Sequence, residues 1–146
     1  MVENTPAVVF VIIEKVFGHE GKILLLQEKN RPEPRMWKLP GGTLDKGEWP
    51  EVTAYREVLE ETGLLIKTLY DEDKIFDEKR EGRFGQYRFI VFRADYMRGT
   101  TLVGDEVERI GFFSREEVKS LIEKREIVPT HVPALKKYLE VNKNEK

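Results

Sequence analysis

The sequence predicts a single α/β domain, and three observations support that class. The chain is long and apolar enough for one compact core, since 40% of its 146 residues are hydrophobic. Several segments are rich in Val, Ile and Phe, which favour strands. The segment after Trp49 carries both a start and a stop signal for a helix. We therefore expect one domain over residues 1–146, with a frayed tail from about residue 142.

The first part of the chain predicts a hairpin followed by a loop. Ala7 to Lys15 and Lys22 to Gln27 are expected to be buried strands, and Gly18 to Gly21 supplies the turn between them. The polar stretch from Glu28 to Met36 is broken by two prolines, which predicts a loop. This loop leads to Trp37 and a pair of glycines.

The helix after the glycines is expected from about Trp49 to Thr62. Pro50 suits the first helical position, and Gly63 suits the position after the last turn. One face is predicted to pack against the core. Its apolar stripe comprises Val52, Tyr55, Val58 and Leu59.

The other face of this helix carries Glu57, Glu60 and Glu61 within one turn. Like charges at these offsets repel each other, so the cluster is unfavourable unless a cation lies against it. Carboxylate oxygens are hard ligands that suit Mg²⁺ or Mn²⁺, and Mg²⁺ commonly binds substrate phosphates as well. The pattern therefore indicates a metal site for phosphoryl chemistry. The alternative is a solvated acidic surface.

The middle of the chain predicts three more strands. The first is expected from Leu64 to Tyr70. The other two, Lys74 to Glu78 and Gln86 to Tyr96, are expected to be joined by the loop from Lys79 to Gly85. In the third strand the alternation places Tyr87 and Phe89 on one face.

The last part of the chain predicts a loop, a strand and two helices. The loop is expected from Gly99 to Glu108 and the strand from Ile110 to Phe113. Ser114 begins a capping-box pattern that starts a helix ending near Lys124. The final helix is expected from about Val132 to Val141, with His131 at its entry. These elements complete the single predicted domain.

Taken together, the glycine pair and the acidic helix resemble the complete signature of the Nudix hydrolases. The matching positions are Gly42, Glu48, Arg56, Glu57, Val58, Leu59, Glu60, Glu61, Thr62, Gly63 and Leu64, and the preceding residues from Trp37 are also typical. The resemblance implies an α/β/α sandwich with a mixed central sheet. It also implies divalent-metal-dependent hydrolysis of a nucleoside diphosphate linked to another moiety.

The resemblance also implies roles for individual residues. The metal ligands it implies are the carbonyl of Gly41 and the carboxylates of Glu57, Glu60, Glu61 and Glu106. The general base is left open among Glu60, Glu61 and Glu106, and neighbouring Asp105 and Glu108 compete with Glu106 for its role. Magnesium is the expected metal and manganese the alternative.

Further residues of the signature are expected to support this site. Arg56 is expected to hold Glu48 or another carboxylate of the signature in place, so that it assists catalysis indirectly. Gly42, Glu48 and Gly63 are then structural.

Substrate contacts are expected just before the glycine pair. Arg31 and Arg35 could offset the charge of a diphosphate, or they could be solvated loop residues. Trp37 could stack on a base, although anchoring the loop to the core is the favoured interpretation. Two family markers of substrate type would fall near Arg80 and Tyr87, and neither identifies the substrate.

Composition excludes several other classes of function. The formal net charge of −2 predicts no affinity for long nucleic acid or an anionic membrane. With no cysteine, the chain holds no disulfide, thiolate zinc site or cysteine nucleophile. The apolar run from Ala7 to Ile13 is too short to span a membrane. We therefore expect a cytoplasmic protein. The sequence does not decide whether it forms a homodimer.

Two alternative functions remain. The domain could bind a nucleotide or metabolite as a sensor without hydrolysing it, although a binder has no need of the whole set of acids. It could also only bind divalent ions, but the ligand spacing of an EF-hand is absent.

Overall fold

The computed structural model describes residues 5–142. The strands are β1 (Ala7–Phe17), β2 (Glu20–Glu28), β3 (Gly41–Thr43), β4 (Leu65–Ile66), β5 (Lys74–Gly82), β6 (Gly85–Arg98) and β7 (Val107–Phe113). The helices are α1 (Pro50–Thr62), α2 (Arg115–Glu123) and α3 (Val132–Asn142). Short 3₁₀ turns lie at Asp71–Asp73 and Pro129–His131.

The strands form one mixed sheet in the order β4-β6-β1-β2-β7. Strands β1 and β6 pair in parallel, whereas β2 pairs antiparallel with both β1 and β7. The short β3 pairs with β1, and β5 pairs with β6. The mixed sheet is therefore as predicted.

Helices cover both faces of this sheet, which gives the predicted α/β/α layers. On one face α1 contributes Ala54 and Val58 to a core built on β1 and β6. On the other face α2 and α3 contribute Val118 and Leu135 to a second core, which also contains Phe89. Alternate residues of the same strands feed the two cores, because side chains along a strand point to opposite faces.

The strands differ in length from those predicted. The expected loop from residue 79 to residue 85 is wrong, since β5 and β6 pair as far as Gly82 and Gly85. The exposed strand residues there are charged, and a hairpin at the sheet margin leaves them in water, so they gave no strand signal. The strand expected from Leu64 to Tyr70 is reduced to Leu65–Ile66. Beyond it, Leu69 is buried without a strand, and its amide donates to the Tyr55 hydroxyl.

Helix α1 ends as predicted, but its packing face is only partly as predicted, since Val58 is buried and Tyr55 packs against the core. Gly63 adopts a left-handed conformation with φ of 76°, and its amide donates to the carbonyl of Leu59. Val52 and Leu59 were expected inside, yet they are 48% and 50% exposed. The face that packs on the sheet has mainly small side chains and allows a close approach. It consists of Thr53, Ala54, Val58 and Thr62.

Other predictions concern the end of the chain. His131 precedes α3 as expected, but it is buried, with only 2% of its surface exposed. The predicted fraying beyond Asn142 concerns residues that lie outside the described part of the chain. Within residues 5–142, none of the helices has the length and apolar character needed to cross a bilayer.

Candidate active site

The turn before α1 is closed by an ion pair between Glu48 and Arg56. Arg56 donates from Nε and Nη2 to the two carboxylate oxygens of Glu48, at 3.1 and 2.9 Å. The Thr53 hydroxyl donates to the same carboxylate at 2.6 Å. These hydrogen bonds, that of Arg56 first, lower the pKa of Glu48 to about 2. Glu48 is thus held as a charged group, and its structural role stays a prediction.

Arg56 also reaches the acidic face of the helix. Its Nη1 donates to Glu57 Oε2 at 3.0 Å and lies 3.7 Å from Glu60 Oε1. Burial raises the pKa of Glu57, although Arg56 opposes the shift. A Cβ on Gly42 would lie 2.7 Å from the Glu57 carboxyl group, so a larger residue would displace that carboxyl group from its position. Glu57 therefore lies against the glycine pair.

Glu61 lies deeper and contacts the other glycine. Its Oε1 accepts a hydrogen bond from the Gly41 amide at 2.9 Å. Gly41 has φ of 149°, and a Cβ there would lie 2.1 Å from the Val9 carbonyl oxygen. Burial raises the pKa of Glu61 to about 7, against the opposing effects of Lys38 and the Gly41 amide. The role of the Gly41 carbonyl as a metal ligand stays a prediction.

A cavity of about 450 Å³ lies beside these carboxylates. One wall is helical and contains Glu57, Glu60 and Glu61. The opposite wall is the loop of residues 104–107, which includes Asp105 and Glu106. The cavity thus brings together four of the five predicted metal-binding residues.

Of the three acids that compete on the loop, the structure separates one from the others. Glu108 lies outside the cavity and faces Arg35, whose Nη1 is 3.8 Å from Glu108 Oε1. Asp105 and Glu106 are both exposed and both line the cavity. The backbone of Glu106 is fixed, because its carbonyl accepts from the Lys29 amide at 2.9 Å.

The loop wall is tied to the end of α1 by main-chain hydrogen bonds. The amide of Leu102 donates to the Thr62 carbonyl at 2.9 Å, and that of Gly104 donates to the Glu61 carbonyl at 3.1 Å. A Cβ on Gly104 would lie 2.4 Å from the carbonyl oxygen of Glu60. Glycine at this position therefore lets the loop approach the helix.

The chemistry of these side chains fits a divalent cation. They supply hard oxygen ligands, and burial disfavours the charged forms of Glu57 and Glu61, which a cation would stabilise. Within residues 5–142, no three or more His, Asp or Glu side chains converge as a ready metal site. Glu57 is paired with Arg56 and Glu60 is 60% exposed. These side chains would therefore have to turn toward a bound ion.

The predicted substrate contacts lie outside this cavity. Arg31 donates to Glu28 at 2.8 Å. Arg35 lines a separate pocket of about 280 Å³. Trp37 packs edge-on against Phe113, with ring centroids 4.8 Å apart, and its main chain bonds to the segment before α3. The contacts of Trp37 anchor the loop to the core. A role of Arg31, Arg35 and Trp37 in substrate binding stays a prediction.

Sequence reasoning missed two buried residues near the segment that leads to the glycine pair. Lys38 is buried, and its ammonium lies 3.2 Å from Glu28 Oε2. His131 accepts a hydrogen bond from the Leu39 amide at its Nδ1, at 3.2 Å. A lysine between Trp37 and Leu39 is the signal that could have identified the first residue. His131 gave none, because tertiary contacts bury it.

A sequence profile described as NUDIX domain matches residues 5–137. The chain is 32% identical over 111 residues to a protein of Methanocaldococcus jannaschii named ADP-ribose pyrophosphatase, a match that covers 76% of this chain. It is also 32% identical over 127 residues to a Bacillus subtilis protein of the same name, with 84% covered. The matched regions span 65% and 67% of the length of these two relatives.

Solved structures share the fold. The E. coli ORF135 protein has a TM-score of 0.74 at 23% identity, with 94% of this chain and 90% of that chain covered. The NUDIX domain of Shewanella oneidensis NrtR, solved with ADP-ribose, has a TM-score of 0.74 at 17% identity, with 94% and 88% covered. These likenesses agree with the predicted α/β/α architecture.

Proposed function

Because this chain belongs to the NUDIX domain family, we propose that it is a hydrolase dependent on a divalent metal. Its substrate would be a nucleoside diphosphate linked to another moiety, cleaved at the pyrophosphate linkage. One observation carries the proposal: a cavity of about 450 Å³ is lined by three helical glutamates and faced by Asp105 and Glu106. Members of the family generally use divalent metals. We propose Mg²⁺, with Mn²⁺ as the alternative.

Five groups of this chain would hold the metal: the Gly41 carbonyl and the carboxylates of Glu57, Glu60, Glu61 and Glu106. When bound, the metal supplies a Lewis acid for the diphosphate and lowers the pKa of an attached water. Raised pKa values at Glu57 and Glu61 support this assignment, because a nearby cation would stabilise both carboxylates.

The protein side of the reaction is proton transfer and positioning. One of Glu60, Glu61 and Glu106 would accept a proton as a water oxygen bonds to phosphorus and the bond to the leaving phosphate oxygen breaks. Arg56 would act as a positioning residue, since it bonds to both Glu48 and Glu57. Most of the rate would come from positioning and electrostatics.

ADP-ribose is the first substrate to test, because two relatives carry the name ADP-ribose pyrophosphatase. We propose that Arg31, Arg35 and Trp37 contact the part of the substrate beyond the diphosphate. We also propose that the protein is a single domain and works in the cytoplasm. Light scattering after size-exclusion chromatography would tell a monomer from a homodimer.

The test is hydrolysis of a substrate panel by purified protein. The panel contains ADP-ribose, nucleoside triphosphates, nucleotide sugars and dinucleoside polyphosphates, each with Mg²⁺, with Mn²⁺ and with EDTA. We expect metal-dependent turnover of at least one compound, and reaction in H₂¹⁸O would identify the phosphorus that is attacked. Where the cavity glutamates are replaced, Glu51→Gln is the matched control variant, because it lies on the same helix but outside the cavity lining. Tight binding of one compound without turnover would instead favour a sensor.

A further inference from the structure

The loop wall of the cavity is a tight turn over residues 104–107. The Val107 amide donates to the Gly104 carbonyl at 3.1 Å, which is the bond that closes a four-residue β-turn. Asp105 and Glu106 are the two central residues of this turn, and both line the cavity. The direction in which their carboxylates point therefore depends on how the two ends of the turn are held.

One end of the turn is bonded to the last turn of α1, as described above, and the other is bonded to the loop that follows β2. At this second end the Lys29 amide donates to the Glu106 carbonyl at 2.9 Å. Lys29 lies just beyond the end of β2, and the register of β2 against β7 shifts between Gln27 and Glu28. Lys29 thus lies outside the regular ladder of the two strands, so its position depends on other contacts.

Arg35 supplies such a contact. Its Nη2 donates to the Lys29 carbonyl at 3.2 Å, and its Nη1 lies 3.8 Å from Glu108 Oε1. The main chain of Arg35 is also held, because the buried Gln27 donates from its side-chain amide to the Arg35 carbonyl at 3.1 Å. A guanidinium carries several donors in one plane, so it can contact two such groups at once. Arg35 therefore joins the loop after β2 to the start of β7.

We infer that Arg35 is a positioning residue, which orients Glu106 through the main chain of Lys29. The inference rests on the proposed function, because it gives Glu106 a part in hydrolysis. Arg35 lines the separate pocket of about 280 Å³ and is not part of the cavity lining, so its effect on this carboxylate passes through the main chain. Contact with a substrate, proposed above for Arg35, is a different role that would change KM.

The first test is a double-mutant cycle in steady-state kinetics. Arg35→Met should lower kcat about tenfold, because a small displacement of a catalytic group loses much of its effect. In a Glu106→Gln background the same change should lower kcat no further, since the group that Arg35 orients is already absent. An unchanged kcat in Arg35→Met would overturn the inference, and so would a fall by the same factor in both backgrounds.

A matched control is available on the same sheet. Arg83 is exposed at the tip of the hairpin that joins β5 and β6, where Gly82 pairs with Gly85. Arg83→Met removes the same kind of side chain and should leave kcat and KM unchanged. Circular dichroism checks the folding of each variant. If Arg35→Met does not fold, Arg35→Lys takes its place, because an ammonium lacks the planar set of donors.

The second test needs neither substrate nor metal. Hydrogen exchange followed by nuclear magnetic resonance reports the opening of individual amide bonds. In Arg35→Met the Lys29 amide should exchange about fivefold faster, because its peptide loses a supporting hydrogen bond. The Leu102 amide, which is bonded to α1, should exchange as in the wild-type protein.

The two tests separate this inference from the proposed function. Absent hydrolysis of the whole substrate panel by the wild-type protein would refute the proposed function. Unaltered exchange of the Lys29 amide in Arg35→Met, or independent effects of Arg35→Met and Glu106→Gln in an active protein, would refute this inference alone.

Discussion

Two amides of one segment donate to titratable side chains from opposite faces of the sheet. The Leu39 amide donates to His131 at 3.2 Å, and the Gly41 amide donates to Glu61 at 2.9 Å. His131 is buried and Glu61 is half-buried, and burial shifts both pKa values toward the neutral form. Their surroundings differ. His131 lies among rings, with Phe10 and Phe89 centroids 4.4 and 5.5 Å away, whereas Glu61 lines a cavity with other carboxylates.

The difference shows how burial can serve stability or chemistry. An imidazole enclosed by apolar rings is most stable in its neutral form, in which Nδ1 can accept the hydrogen bond from Leu39. A carboxylate next to two others at the edge of a cavity is unfavourable in its charged form until a cation arrives. We therefore expect changes at Glu61 to act on turnover and changes at His131 to act on the free energy of unfolding.

The largest effect is expected for Glu61→Gln. The amide oxygen can still accept from Gly41, so folding should be almost unchanged, but a metal ligand or base is lost. We expect kcat to fall by about 10³-fold. Steady-state kinetics and thermal unfolding would measure the two effects. Glu123→Gln, on the exposed surface of α2, is the control, and unchanged turnover in Glu61→Gln would contradict the site assignment.

The next largest effect is expected on the loop side of the cavity, where Glu106 and Asp105 can be compared. Glu106→Gln should lower kcat by about 10²-fold if its carboxylate binds metal or accepts a proton, whereas Asp105→Asn should change it little. Both residues are exposed, so neither variant should lose stability. The kcat values of the two variants, measured under identical conditions, decide the matter. Equal losses, or a larger loss for Asp105→Asn, would assign the role differently.

At His131 the expected effect is on stability. His131→Leu removes the acceptor of the Leu39 amide, and a buried unpaired amide costs about 1–3 kcal/mol. Urea denaturation would measure the loss in the free energy of unfolding. The other histidine, His19, is exposed in a turn, so His19→Leu should have a negligible effect. If the two variants had equal free energies of unfolding, the Leu39 hydrogen bond would contribute nothing measurable to stability.

The smallest effect is a pH dependence. Burial, aided by Lys38, Arg31 and Arg80, lowers the pKa of His131 well below its usual 6.5. As pH falls below 6.5 the unfolded chain takes up this proton first, so the folded state loses stability, by at most about 1.4 kcal/mol per pH unit.

Comparison of the wild-type protein with His131→Leu isolates this contribution. Glu61 has the opposite sign, because its raised pKa lets the folded state bind the proton first between pH 7 and 4.5. Urea denaturation of both proteins at pH 7.5, 6.5 and 5.5 should show their stability difference shrink toward low pH. A constant difference would mean that His131 titrates alike in both states.

The sequence predicted the parts of the site that depend on local signals. Pro50 and Gly63 mark the ends of α1, and the spacing of its glutamates places them on one side. The burial of Lys38 and His131 was not predicted, because it depends on residues distant in sequence. The predicted packing face of α1 was wrong at Val52 and Leu59 for a related reason. Periodicity selects large apolar residues such as Leu59, whereas close contact with the sheet requires small ones.

The main-chain bonds from Leu102 and Gly104 to the carbonyls of Thr62 and Glu61 have a consequence for substrate choice. These bonds join main-chain atoms, so they hold the loop at a fixed distance from the helix whatever the side chains at their ends. Side chains of the loop that take no part in the reaction, such as Val103, can therefore vary in size and polarity while the gap between helix and loop stays constant. Related proteins could in this way change their substrates and retain the same chemical step.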